Sequence, residues 1–310
     1  MDKISGSQNA SVRLLFPAHP LDPRSPDPSY LEEAAAAAAL GLRCSTINFE
    51  ALVAEDDSAR AVSRVIPAGE EETGVYRGWM ITPAQYASLF TALLGRGVRL
   101  VNSPEEYRRS HYLPESYSVI EGQTPKTVWM RLESAPSMPA VMDLLSPFGA
   151  GPVIVKDYVK SRKHEWAEAC FIPDASDAAG VARIVHRFLE LQGSDLNEGL
   201  VFREFVEFEP LTTHSQSGMP LTQEFRLFFL DGAPIVVSQY WDQGDYGAAR
   251  PPMERFTALA SHVQSRFFTM DVAKRRDGEW MVMELGDAQV SQLPEQASAM
   301  DFIASLGRLA

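Results

Sequence analysis

The amino-acid sequence predicts a layered α/β lobe followed by two α+β lobes. Three observations carry this prediction. The first hundred residues alternate strand-like and helix-like segments in the order βαββαβ, the pattern of a small parallel sheet with crossover helices. The later strands are apolar runs that each hold a charged residue, and two Asp-Gly turns, Asp231-Gly232 and Asp277-Gly278, join them into hairpins. The length of 310 residues, 45% of them hydrophobic, suffices for two or three lobes with a sizeable core.

In the N-terminal lobe, Val12 to Phe16 is an apolar strand that stops at Pro17. Ser29 to Leu40 reads as a helix: Ser29 caps it, Glu32 and Glu33 suit the positive end of its dipole, and six alanines fill it before Gly41. Cys44 to Phe49 and Tyr76 to Ile81 read as the second and third strands. A helix opens at Pro83 and ends at Leu94 before Gly95 and Gly97, and Val98 to Asn102 is the fourth strand. Residues 103–150, dense in proline, read as a connector with short helices.

From Gly151 onward, Pro152–Asp157 and Glu165–Ile172 read as strands around a basic tip, Lys160-Ser161-Arg162-Lys163. Asp177 caps an amphipathic helix with Val181, Ile184, Val185 and Phe188 on its inner face. Leu200–Phe208 is a strand. Gln223–Leu230 pairs with Pro234–Tyr240, and Phe267–Ala273 with Glu279–Leu285. A helix carrying Phe256, Leu259, Ala260 and Val263 lies between the hairpins, and Glu295–Leu309 closes the chain as a helix. The expected divisions are 1–110, 111–205 and 206–310.

Composition excludes several classes. The net charge of −13 disfavours nucleic-acid binding by bulk charge, although a local basic groove remains compatible with it. No apolar run approaches a membrane span, and the polar N-terminus lacks a signal-peptide core. Two distant cysteines, Cys44 and Cys170, suit a reducing cytoplasm. P-loop, GxGxxG, HExxH and GxSxG motifs are all absent. The six histidines show no ligand spacing. The tryptophans read as packing, and Asp242, Asp245 and Tyr246 as a polar surface turn.

What remains is a set of ionic residues inside apolar strands: Lys156, Arg203 with Glu204, Arg226, Asp271 and Glu284. Any one of them reads as an edge charge facing water. A buried unpaired charge is costly, so such charges on five strands point to partners or a ligand. Lysine and arginine suit phosphate oxygens, and two adjacent carboxylates suit Mg2+. Asp271 and Glu284 both lie six residues out from the Asp277-Gly278 turn. A two-residue turn would therefore set them opposite each other, about 5 Å apart at Cα.

This ordered set resembles the ATP-grasp superfamily over roughly residues 12–294. It is most similar to a group of ATP-grasp proteins marked by three short motifs, here Arg203-Glu204-Phe205, Glu224-Phe225-Arg226 and Glu284-Leu285-Gly286-Asp287-Ala288-Gln289. The resemblance implies a Rossmann-like first lobe and two α+β lobes that sandwich ATP. It also implies Mg2+-dependent ligation of a small-molecule or peptide carboxylate to an amine through an acyl phosphate. Residue by residue, Lys156 and Arg226 match phosphate-binding and catalytic positions, with Lys160 in the phosphate-covering tip. The backbone of Glu204, Phe205 and Val206 matches the adenine-reading hinge. Glu207 or Glu209 would take the ribose. Asp271 and Glu284 match the metal pair. The family's usual Asn two residues after the Glu is Gly286 here, which leaves Asp287, or else Gln289, as the expected third ligand. Alternatives are phosphoryl or nucleotidyl transfer to a nucleic-acid or phosphorylated acceptor, and a non-catalytic nucleotide-binding module. A homodimer through the apolar first lobe is also compatible with the sequence.

Overall fold

A computed structural model describes residues 12–213 and 220–309. The first lobe runs β1 (Val12–Pro17), α1 (Leu31–Ala39), β2 (Arg43–Ile47), α2 (Phe49–Val53), α3 (Ser58–Ala61), β3 (Glu72–Tyr76), α4 (Pro83–Leu94) and β4 (Val98–Leu100). Its four strands are parallel in the order β2-β1-β3-β4, as the βαβ alternation predicts. All six residues of β1 are buried, as a central parallel strand requires. Two short helices, α2 and α3, enter where a bare connection was expected.

The third strand lies earlier than predicted. It ends at Tyr76, and residues 77–81 form a loop. Arg77 donates its backbone N–H to Leu15 O and buries its side chain against Glu33, with N–O distances of 2.7 and 2.9 Å. Trp79 and Met80 then emerge at the surface. The capping box of Thr82 and Gln85 starts α4.

Helices α5 (Pro104–His111) and α6 (Leu113–Ile120) lead into the second sheet. This sheet is built from β5 (Thr127–Arg131), β6 (Val153–Lys156), β7 (Phe171–Ile172) and β8 (Gly199–Glu204), in the order β5-β8-β6-β7, all antiparallel. Helices α7 (Met138–Leu145) and α9 (Ala178–Gln192) cover one face, and the short α8 (Trp166–Ala169) precedes β7. Strand β5 lies inside the stretch read as a connector. The predicted strand 165–172 is mostly α8, because only Phe171 and Ile172 reach pairing partners on β6. Along β6 and β8, Val153, Val155, Leu200 and Phe202 join the helix-covered core. Strand alternation therefore turns Ile154, Lys156, Val201 and Arg203 to the other face.

After β8 the chain crosses to the third sheet. The predicted strand 200–208 ends at Glu204: Phe205 N–H still bonds Pro152 O, but Glu209 N–H bonds Lys274 O on the far side. A small ribbon, β9 (Pro210–Thr213) and β10 (Pro220–Thr222), follows. The third sheet contains β11 (Glu224–Leu230), β12 (Ala233–Gln239), β13 (Phe267–Lys274) and β14 (Trp280–Asp287), ordered β12-β11-β13-β14 and antiparallel, with α10 (Met253–Ala260) packed on it. Asp231 and Gly232 take φ of 49° and 77°, the two-residue hairpin turn the sequence predicts.

The last helix, α11 (Ala299–Leu306), returns to the first lobe. Phe302, Ile303 and Leu306 share one core with Val12, Leu14 and Phe16 of β1 and with Phe228 and Phe267 of the third sheet. Among the described residues no helix is long and apolar enough to cross a membrane.

Candidate active site

The open faces of the second and third sheets enclose a cleft. On the third sheet, Phe225, Leu227, Met270, Val272 and Val282 point into the core under α10. Glu224, Arg226, Thr269 and Asp271 therefore point the other way. Asp271 pairs with Arg226 of β11 on one side and Glu284 of β14 on the other, so three ionic residues stand in one cross-strand row.

The predicted Asp271–Glu284 pairing is observed, but by a different route. The connection from Lys274 to Trp280 is five residues long rather than two, and β14 carries one extra residue, Met283, between the partners of Asp271 and Val272. The two differences cancel. The bulge also turns both Met283 and Glu284 to the cleft side, where each lines a different pocket.

Arg226 grips Asp271 with two N–H···O bonds of 2.8 and 2.7 Å, and its guanidinium lies 4.6 Å from the ring centre of Tyr240. Lys156 reaches across from the second sheet to Glu284 at 3.0 Å. Burial raises the carboxyl of Asp271 despite Arg226. For Glu284, burial works upward, but Lys156, Lys163 and Arg203 outweigh it and hold the group ionised. Glu224, also buried, is pushed up to about 7 by desolvation, with the charge of Lys163 opposing.

Lys156, Arg226, Asp271 and Glu284 line one small cavity, and two larger pockets lie on the cleft side of the sheets. One holds about 1020 Å³ of space, including its open mouth, beneath the crossing 204–208. Ile154, Phe205, Val206, Trp241 and Met283 make it largely apolar, with Lys163 and Glu224 among its polar groups. Among the described residues no hydrogen bond engages the Val206 N–H. The second pocket opens toward the first lobe, between Tyr30, Trp79, Lys160, Arg226, Tyr240 and Glu284. The tip bearing Lys160 is anchored by buried Asp157, which accepts from the N–H groups of Val159, Lys160 and Asn197 and from the side chains of Gln192 and Asn197.

Lys156, Arg226, Asp271 and Glu284 line one cavity, Lys160 lines the adjoining pocket with Arg226 and Glu284, and Glu204, Phe205 and Val206 line the apolar pocket. The Glu204 side chain is exposed at the rim. Glu207 lines the apolar pocket and pairs with Arg276 at 3.1 Å, whereas Glu209 does not line it. Asp287 and Gln289 are not brought to Asp271 and Glu284. Asp287 is fully buried on the opposite face of β14, accepting from Asn102 at 2.6 Å and from Gln289 N–H at 2.9 Å. Gln289 donates to Tyr86 and accepts from Tyr76 N–H. Both residues tie β14 to the first lobe. Among the described residues no group of three or more His, Cys, Asp and Glu converges as a metal site. Sequence reasoning named Lys163 only as part of the basic tip and gave Glu224 no role, although Glu224 lies two residues before Arg226 and strand alternation puts it on the same face. It also missed His111, buried at the end of α5 and lining the same cavity as Lys156 and Glu284.

A family model described as an ATP-grasp domain, the third family of its clade, matches residues 147–306, which span the second and third sheets and the cleft between them. The chain belongs to that ATP-grasp family. Solved ATP-grasp structures extend the likeness to the first lobe. A RimK domain protein ATP-grasp from Sphaerobacter thermophilus DSM 20745 is 16% identical, with 96% of this chain and 100% of that one covered and a TM-score of 0.58. D-cycloserine synthetase DcsG is also 16% identical, with 97% and 99% covered and a TM-score of 0.61. The macrocyclase MdnC bound with precursor peptide MdnA from Microcystis aeruginosa MRC is 12% identical, with 96% and 100% covered and a TM-score of 0.54. At these identities the likeness is one of fold. No curated protein matches the ATP-grasp chain in sequence.

Proposed function

We propose that this ATP-grasp chain is an ATP- and Mg2+-dependent ligase. It activates a small-molecule or peptide carboxylate as an acyl phosphate, joins it to an amine or similar nucleophile, and releases ADP and phosphate. The observation that carries this reading is the convergence of Lys156, Arg226, Asp271 and Glu284 on one cavity.

The apolar pocket suits adenine, with the backbone of Glu204–Val206 at the base edge and Glu207, rather than Glu209, at the ribose. The pocket facing the first lobe takes the acceptor. Two adjacent carboxylates fit Mg2+, which takes one or two carboxylates together with phosphate oxygens and water. When bound, the ion offsets charge on the phosphates.

Lys156 is paired with Glu284 and Arg226 with Asp271. Nucleotide entry exchanges these partners: Lys156 and Arg226 turn to phosphate oxygens, while Asp271 and Glu284 turn to the metal. No buried charge is left unpaired by the exchange. A substrate carboxylate oxygen then attacks the γ-phosphorus, and the bond to the ADP oxygen breaks. Lys156 and Arg226 stabilise the charge that develops there. The nucleophile attacks the acyl carbon, phosphate leaves with the bonding electrons, and the nucleophile gives up a proton.

In the basic tip, Lys160 and Lys163 line the pockets and Arg162 pairs with Glu165. The test is incubation with ATP, Mg2+, hydroxylamine and a panel of amino acids and short peptides, followed by phosphorus NMR. Ligation predicts ADP, phosphate and a hydroxamate. AMP with pyrophosphate would instead indicate nucleotidyl transfer, and nucleotide binding without turnover across the panel a non-catalytic module.

A further inference from the structure

Beside the paired carboxylates lie two hydroxyls that the proposed reaction does not use. Thr269 and Ser291 are 2% and 6% exposed, and their oxygens are 2.9 Å apart. Thr269 lies two residues before Asp271, and its register partner Gly286 lies two residues after Glu284. The hydroxyls therefore occupy the row next to the two carboxylates on the same face. All four side chains line one cavity with Lys156 and Arg226. Gly286 keeps that row open: a Cβ there would stand 2.8 Å from Thr269 Oγ1 and 3.1 Å from Ser291 Oγ.

Counting hydrogens gives the pair its chemistry. Each hydroxyl has one proton to donate and two lone pairs. Ser291 donates to the backbone carbonyl of Asp287 at 2.8 Å. The proton between the two hydroxyls therefore belongs to Thr269. Thr269 Oγ1 then has no proton left to give, and among the described residues nothing donates to it. Such an oxygen can only accept. Next to two carboxylates, its fitting occupant is a hard cation or that cation's water, the role a Ser or Thr hydroxyl plays toward Mg2+ in phosphate-binding loops.

We infer that Thr269 Oγ1 is the third protein oxygen of the magnesium site formed with Asp271 and Glu284, with Ser291 as the positioning residue that holds its proton away from the metal. This inference rests on the reading of the cleft as a Mg2+–ATP site.

Mn2+ is the probe, read by electron paramagnetic resonance in the presence of the non-hydrolysable analogue AMPPNP. Thr269→Val should lower Mn2+ affinity about tenfold or more, Thr269→Ser should keep it, and Ser291→Ala should fall between. AMPPNP affinity without metal should stay at the wild-type value in all three variants. Wild-type Mn2+ affinity in Thr269→Val overturns the assignment and leaves the nucleotide site standing. If that variant does not fold, the same result in Ser291→Ala, which alters neither strand, overturns it. Failure of the wild-type protein to hold Mn2+ with the nucleotide overturns both this inference and the ligase reading.

Discussion

Arg226 and Asp271 face each other in register across β11 and β13, joined by two parallel hydrogen bonds and almost closed off from water. Among the described residues no other ion pair engages either charge, and Arg226 also donates to Gln292 O at 3.2 Å and lies over the Tyr240 ring. Asp271→Asn should therefore destabilise the protein by roughly 3–5 kcal/mol, because it leaves a buried guanidinium uncompensated. The double variant Arg226→Met/Asp271→Leu should lose much less. Urea unfolding of the two variants distinguishes a buried pair from a surface contact, for which both losses would be under about 1 kcal/mol.

Lys156 and Glu284 link the two sheets across the cleft. Lys156→Ala and Glu284→Ala should each lower ATP turnover by about 10²–10³-fold, as loss of a preorganised charge at a transition state does. Circular dichroism should show the fold retained, because each of the two sheets keeps its own core. An unchanged kcat in either variant contradicts their assigned roles.

At Gly286 the cleft side of β14 is too close to Thr269 and Ser291 for a side chain. Gly286→Ala should push apart Thr269 and Ser291 and cost roughly 1–3 kcal/mol of stability, read from thermal unfolding. A melting temperature equal to wild type would mean that the hydroxyl pair moves aside freely.

How much of this was legible in the sequence depends on whether the signal was local. The parallel first sheet follows from alternation, and the ionic row from charges set in apolar strands. Strand β5 was hidden by the prolines around it. The bulge at Met283 has no local signature, because it arises from how β14 fits β13. Asp287 could have been placed correctly: it lies three residues after Glu284, and once the strand is seen to continue past Leu285, alternation turns it to the far face. The helix α8 was misread because Trp166 and Phe171, stacked at 5.3 Å, look like strand residues in sequence while their packing is tertiary.

His111 gives a pH dependence with a definite sign. Desolvation above all, with Lys160 and Lys156 acting the same way and Glu284 opposing, lowers its pKa from 6.5 to about 4. The rings of Tyr107 and Tyr112 flank it. A base whose folded pKa is depressed adds stability above pH 6.5, and that stability is lost as pH falls toward 4. Wild type should therefore lose up to about 3 kcal/mol more than His111→Phe between pH 7 and pH 4, measured by urea unfolding. Equal losses would mean that His111 titrates normally in the folded protein.

The central claim is that four ionic side chains from two sheets form one receptor for a magnesium-bearing triphosphate. Calorimetric titration with AMPPNP, with and without Mg2+, tests it directly. The account predicts saturable binding of one nucleotide per chain, strengthened by Mg2+, with that strengthening lost in Glu284→Ala. No binding to the wild-type chain, or binding indifferent to both the metal and Glu284, would contradict it.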